Sequence, residues 1–247
     1  AWLLHGPSGL GQYDLALELA RAWLCEASPG EQRADGRACG HCASCHAVDV
    51  RTHADLRVLM PETAMLALGW PLDEKAQSDL DDKKRKPSRE IRVEAMRDAI
   101  EFAQRTDARG RGKVVLIYPA ERMNHVTANA LLKTLEEPVG QVRFVLASEA
   151  QHLLLPTSRS RCLGHAMRWP MEQAARDWLL AQGVAPADAG FWLQAAGTRP
   201  AAALQLARSG WTPARWSAVP KAMARGDTAA VEDLAPPHLV DLLQKLC

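Results

Sequence analysis

The sequence predicts an α/β domain built on a parallel sheet, followed by a region that is all helix. Three observations carry this. A short apolar run, Ala1 to His5, leads through Gly6-Pro7-Ser8-Gly9-Leu10-Gly11 into a helical pattern: strand, glycine turn, helix. Lys113 to Tyr118 holds a continuous apolar run, Val114-Val115-Leu116-Ile117, as in a strand buried on both faces of a parallel sheet, and Val142 to Ala147 reads as another buried strand. Strands alternate with helices up to Pro170, and only helical patterns follow.

Each element has its own signal. After the glycine turn, Leu15, Leu17, Leu19, Ala20, Trp23 and Leu24 lie on a broad apolar face. Residues 25–46 are rich in Cys, Gly, Ala and charge and have no periodicity. Asp55 to Met60 alternates like a strand, and residues 61–88 read as loop. Ser88 is placed to cap a helix from Arg89 to about Gln104, with Ile91, Ala95, Ala99, Ile100 and Ala103 apolar. Asn124 to Glu137 reads as a helix that stops before Pro138, a short helix is expected around 151–155, and His165 to Trp169 as a last strand. Beyond Pro170, Glu172 to Gln182, Pro186 to Ala196 and Arg199 to Arg208 are three short helices, and a further one begins near Thr212. The expected organisation is an α/β domain at 1–169, a helical domain at 170–209, and the start of another helical domain at 210–247. Ala1 enters a strand directly and Leu239 to Cys247 reads as an unfinished helix, so a chain trimmed at both ends is expected.

Composition narrows the function. Of the 247 residues 47% are hydrophobic, enough to build a core. Lys plus Arg number 30 against 29 Asp plus Glu, so no global charge attracts a polyanion. No apolar run approaches the ~18 residues of a membrane span, and no signal-peptide pattern is read.

The glycine loop has the position of a phosphate loop, G-x-x-x-x-G-K-[ST], but not its chemistry. In that loop backbone amides wrap the phosphates, the lysine supplies charge, and the hydroxyl ligates magnesium. Gly6 and Gly11 keep the spacing, with Gly9 between them. Gln12 takes the lysine position and carries no charge; Tyr13 takes the Ser/Thr position with its hydroxyl at the end of a rigid ring. The acid expected after the strand at 114–117 is replaced by Tyr118, and only the displaced Glu121 is acidic. Cation, hydroxyl ligand and metal-binding acid are absent together, so no ATP chemistry is expected of this chain.

Four of the six cysteines fall between Cys25 and Cys45. Cys39-Gly40-His41-Cys42-Ala43-Ser44-Cys45 contains two overlapping C-x-x-C steps, a spacing that turns two sulfurs onto one zinc ion. Cys25 is favoured as the fourth ligand because it ends the first helix; His41 and His46 compete for the position. Four thiolates leave no open coordination position, so the expected zinc is structural and holds together an insertion with little core of its own.

Taken together, the degenerate loop at 6–13, the cysteine insertion, Asn129-Ala130-Leu131-Leu132-Lys133-Thr134-Leu135-Glu136-Glu137-Pro138, Phe144-Val145-Leu146-Ala147-Ser148 and Ser160-Arg161-Cys162 resemble the delta-prime family of bacterial DNA polymerase III clamp loader subunits, within the AAA+ fold group. The resemblance covers roughly residues 1–210. It implies an AAA+ phosphate-loop-type sheet domain, a three-helix lid and the beginning of an α-helical collar. It implies that Arg161 reaches in trans into the ATP site of an adjacent gamma/tau motor subunit, with Arg159 as a fallback. Gamma/tau and delta are the implied partners, the sliding clamp and primer-template DNA are reached through the complex, and the location is the cytoplasm. Ser148 and Arg199 match the family's sensor positions. His5 and His165 read as core or edge residues, Lys133 as an outward cation, and the basic run 83–86 as a solvated loop. The rival readings are an ATP-hydrolysing motor with an atypical loop and a zinc-dependent DNA-binding module.

Overall fold

A computed structural model describes residues 1–28, 36–227, 229–232 and 239–240. The chain divides into two compact units, 1–167 and 168–247. The unfinished helix expected at the C-terminus lies, from residue 241 on, outside the described residues, as does the 29–35 stretch of the cysteine insertion.

In the first unit, β1 (Trp2–His5), β2 (Leu56–Leu59), β3 (Lys113–Ile117), β4 (Val142–Ser148) and β5 (Leu163–Ala166) form one sheet in the order β2-β3-β4-β1-β5. Every pairing is parallel. Its helices are α1 (Gln12–Leu24), α2 (Ala43–Asp49), α3 (Glu62–Ala67), α4 (Glu74–Asp81), α5 (Val93–Gln104), α6 (His125–Glu136) and α7 (Pro156–Arg159). Side chains along β3 point alternately to the two faces, and both faces are covered. Val115 and Ile117 pack with Met96, Ala99 and Phe102 of α5 and Leu131 and Leu135 of α6. Leu116 packs on the other face with Leu4, Val58, Val145 and Ala16 of α1. That two-sided burial is why β3 is apolar without alternation, and full burial contributes roughly 1.5–3 kcal/mol for each large aliphatic side chain.

The second unit contains α8 (Glu172–Ala181), α9 (Pro186–Ala195), α10 (Pro200–Arg208) and α11 (Pro213–Ala224). Proline opens α9, α10 and α11, where its missing N–H is no loss. Their inner faces share one apolar cluster from Ala175 to Val231, in which Trp192 and Trp211 both meet Trp216 edge-on, at 6.0 and 5.7 Å between ring centres.

The structure corrects the local reading in three places. Residues 61–88 contain α3 and α4 rather than a continuous loop. Ser88 does not cap α5: its hydroxyl bonds within the turn to Glu90, Arg92 is the N-cap residue, and the helix starts at Val93. The last strand is Leu163–Ala166, set by its register with β1, where Leu4 faces His165. In addition, α2 forms over the second C-x-x-C step, with Cys42 as its N-cap residue and Cys45 in its first turn, where no periodicity announced it.

Candidate functional site

The glycine loop lies between β1 and α1, at the C-terminal edge of the sheet. Gly9 and Gly11 have φ of 89° and 79°, conformations that L side chains rarely adopt. Gly6 is needed for a different reason: a Cβ there would lie 2.6 Å from the Met167 carbonyl oxygen. The loop therefore has the backbone demands of a phosphate cradle.

Its contents are different. Gln12 is buried, and its Nε2 donates to the Gly6 and Pro7 carbonyl oxygens at 3.0 and 2.7 Å. The side chain in the lysine position turns back and ties the loop to itself. Tyr13 tilts against Tyr118, with 5.3 Å between ring centres, and its hydroxyl accepts from Trp70 Nε1 at 2.6 Å. Tyr118 donates to Glu149 Oε1 at 2.9 Å, and Ser8 donates to Glu149 Oε2 at 2.6 Å. Burial, the Glu149 hydrogen bond and the nearby acids push the Tyr118 hydroxyl well above the ordinary tyrosine range, so it remains a neutral donor. Glu121 Oε1 accepts the Glu149 N–H at 3.1 Å. The pocket thus gathers Glu121 and Glu149 where a triphosphate would need cations, and Asp14 stands in the first turn of α1. Ser148 is buried at the end of β4 and its Oγ accepts the Ala150 N–H at 3.2 Å.

Arg161 follows α7. Its Nε and Nη2 both donate to Glu136 Oε2, at 3.0 and 2.9 Å, and Nη1 donates to the Thr157 carbonyl oxygen at 3.0 Å. Its side chain is 29% exposed. Arg159 is exposed, and Arg199 lies in the second unit, where Nε donates to the Ala196 carbonyl oxygen at 2.9 Å. Lys133 is exposed on α6. In the basic run, Lys84 pairs with Asp82 at 2.8 Å and Arg85 binds the Glu62 carboxylate, leaving Lys83 and Lys86 as its outward cations. His165 is exposed on edge strand β5 and His5 half-buried beside it on β1.

The insertion after α1 brings Cys25, Cys39, Cys42 and Cys45 together, with all four sulfurs within 4.8 Å of one another. Cys25 to Cys42 and Cys39 to Cys45 are each 3.9 Å between Sγ atoms. Four sulfurs at ~2.3 Å from a central ion stand about 3.8 Å apart in a tetrahedron, so the spacing fits zinc. Backbone N–H groups of Cys39, Cys42 and Cys45 point at the sulfurs of Cys25, Cys39 and Cys42, each at 3.4 Å, which suits thiolates. Neither His41 nor His46 belongs to this cluster; His41 Nδ1 lies 3.1 Å from the Cys39 carbonyl oxygen instead. Among the described residues, the cluster around the sulfurs buries only Ala27 and Ala38 besides the cysteines. Ser44 anchors it by donating to the Leu24 carbonyl oxygen and meeting buried His53.

Comparison with known proteins bears on this arrangement. Residues 1–168 match the family model described as "DNA polymerase III, delta subunit". The chain belongs to that family. The curated DNA polymerase III subunit delta' of Pseudomonas aeruginosa is 39% identical over 179 residues, covering 72% of this chain and 46% of the relative. The Escherichia coli delta' is 34% identical, covering 72% and 45%. The tau subunit of Salmonella typhimurium is 31% identical over 163 residues, 66% of this chain and 21% of that one. This chain therefore spans a little under half the length of the delta' relatives. Among solved structures, a gamma-subunit-related protein from Thermotoga maritima superposes with a TM-score of 0.51 at 18% identity, covering 99% of this chain and 77% of that one, a likeness of AAA+ fold.

Within this DNA polymerase III family frame, two residues escaped the sequence reading. Glu149 was legible only as an acid following Ser148; its hold on Tyr118 and Ser8 depends on the loops that meet at the sheet edge. Glu136 lay inside the 129–138 motif, but its pairing with Arg161, 25 residues away, required α6 and α7 to pack.

Proposed function

We propose that this chain is the AAA+ and following helical portion of a delta'-type clamp loader subunit that neither binds nor hydrolyses ATP, and that supplies Arg161 in trans to the ATP site of an adjacent gamma/tau motor subunit. The observation that carries the reading is Gln12. A glutamine amide hydrogen-bonded to Gly6 and Pro7 offers no cation to a phosphate, and Glu149 and Tyr118 occupy each other where a metal-binding acid is needed. Arginine suits the trans role because its planar fork binds phosphate oxygens in pairs and never loses its proton. Zinc at the four cysteines has a structural part: all four ligands are protein sulfurs, no position is left for water, and the ion would tie together described residues that bury little else around it. Residues 170–209 would form the lid and 210–247 the start of the collar. The partners are then gamma/tau and delta, and the assembly would place a sliding clamp on primer-template DNA in the cytoplasm.

The test is reconstitution. The isolated subunit should show no magnesium-dependent ATP binding, and Arg161→Ala should lower ATP turnover of the assembled complex without preventing assembly. Tight Mg·ATP binding by the isolated subunit would favour an atypical motor, and unchanged turnover in the Arg161→Ala complex would remove the trans role.

A further inference from the structure

We propose that Glu136 is a positioning residue for Arg161, fixing the guanidinium so that its two remaining N–H groups face outward as a ready fork for phosphate oxygens; this rests on the trans role of Arg161. A guanidinium carries five N–H donors. Three are committed here: Nε and one Nη2 hydrogen to a single Glu136 oxygen, and one Nη1 hydrogen to the Thr157 carbonyl. Two are left, one on each terminal nitrogen. Arginine meets two oxygens of one phosphate side by side through N–H groups of this kind, one from each of two nitrogens. The carboxylate grips the opposite, Nε-side edge, so orientation and ligand binding use different sides of one plane.

The location of Glu136 supports a role beyond stability. It is the last residue of α6, and Glu137 follows it. Negative charge at a helix C-terminus opposes the helix dipole, so this position is a poor one for an acid unless a cation faces it. Glu136 is itself 60% exposed while Arg161 is 29% exposed, so the acid is the more solvated partner and the arginine the one held against the fold. An exposed ion pair of this kind adds little to folding. What it removes is rotamer freedom of a long side chain that would otherwise have to be frozen when the neighbour's phosphate arrives.

The experiment uses the subunit reconstituted with its motor neighbours, carrying Glu136→Ala, Glu136→Gln, Arg161→Ala or the Ala/Ala pair. kcat and KM for ATP are read for each complex, with the melting temperature of each subunit as the folding control. Glu136→Ala should lower kcat by about three- to ten-fold, less than Arg161→Ala does, with KM for ATP little changed. Glu136→Gln keeps an oxygen that accepts the same N–H groups and should recover most of the loss. In the pair, Glu136→Ala should add nothing to Arg161→Ala. Full kcat in Glu136→Ala beside an impaired Arg161→Ala complex overturns this inference alone, as does an equal loss from Glu136→Ala in the Arg161→Ala background. Full kcat in Arg161→Ala overturns the trans role and this inference with it.

Discussion

Asp55→Ala should be among the most damaging single changes in the first unit, although Asp55 touches neither the loop nor the cysteines. Asp55 is fully buried just before β2. Oδ1 accepts the Ala108 N–H at 2.8 Å, Oδ2 accepts the Arg109 N–H at 3.1 Å, and Lys113 Nζ lies 3.4 Å from Oδ1. Lys113 is itself 5% exposed, with its ammonium 4.0 Å from the Phe102 ring centre. Alanine would strand two backbone donors and leave a buried cation without its counter-charge. Breaking one side of a buried pair costs roughly 3–5 kcal/mol, and a buried donor left unmade adds about 1–3 kcal/mol where water cannot reach it. With partial relaxation, a loss of about 4 kcal/mol is expected, or a fall in Tm of roughly 8–16 °C at this chain size. Glu101 and Arg105, an ion pair with side chains 65% and 69% exposed, supply the contrast: alanine there should cost under about 0.5 kcal/mol. Urea and thermal unfolding measure both. Hydrogen exchange at the Ala108 and Arg109 amides should speed up, and the loop that reaches the insertion through Arg109 to Glu26 should loosen. Adding Lys113→Met to Asp55→Ala should restore about 1–2 kcal/mol by removing the stranded charge. A loss below about 1.5 kcal/mol, or no recovery in the double variant, would refute the assignment of Asp55 as the buried hub.

Three further outcomes are expected. Metal analysis of the wild-type chain should give one zinc, and Cys25→Ser should lose it and lower the melting temperature; a metal-free chain of unchanged stability would contradict the site drawn from the four sulfurs. For Glu62, burial alone would raise the pKa, but the hydrogen bonds from Arg85 and the Ser88 N–H and the Arg92 charge outweigh it and hold the carboxyl below its usual range. Its stabilisation is then present above the unfolded value of about 4.3 and fades as pH falls through the lower folded value. The stability gap between wild type and Glu62→Gln should be widest above about pH 5 and close toward pH 3; a gap that stays constant across that range speaks against it. Gln12→Lys alone should give no measurable hydrolysis, because Tyr13 and Tyr118 still stand where magnesium needs a small hydroxyl and an acid; ATP turnover by that variant would show that the pocket lacks only its cation.

The elements read well from sequence are those whose burial is extreme or whose turn chemistry is rigid. β3 and β4 announced themselves because their middles, Val114 to Ile117 and Phe144 to Ala147, are covered on both faces and are apolar throughout, and α1 because glycines at positive φ must precede it. Cys39, Cys42 and Cys45 were legible because metal geometry fixes their spacing within a few residues of chain; Cys25, 14 residues before Cys39, was separated from His41 and His46 as the fourth ligand only when the chain folded. What failed was short or conditional. α3 and α4 have six and eight residues, too few for a periodic face and too short to be stable alone. α3 exists with Glu62 at its start tied to Arg85 and Ser88, partners 23 and 26 residues away. The Asp73 cap on Ala76 at the head of α4 was a signal the sequence did contain.

The sequence by itself determined the class of sheet, the paired C-x-x-C steps, and the absence of a lysine and a small hydroxyl from the loop and of an acid after β3, because each of these is a matter of residue type at a local spacing. Only the tertiary structure decided what fills that loop and what holds Arg161. Gln12 folding back on Gly6 and Pro7, Glu149 gripping Tyr118 and Ser8, and Glu136 meeting Arg161 are contacts between side chains whose separation in space is set by the packing of whole elements. A hydrogen bond is made or lost within a few tenths of an ångström, and no pattern along the chain carries that distance.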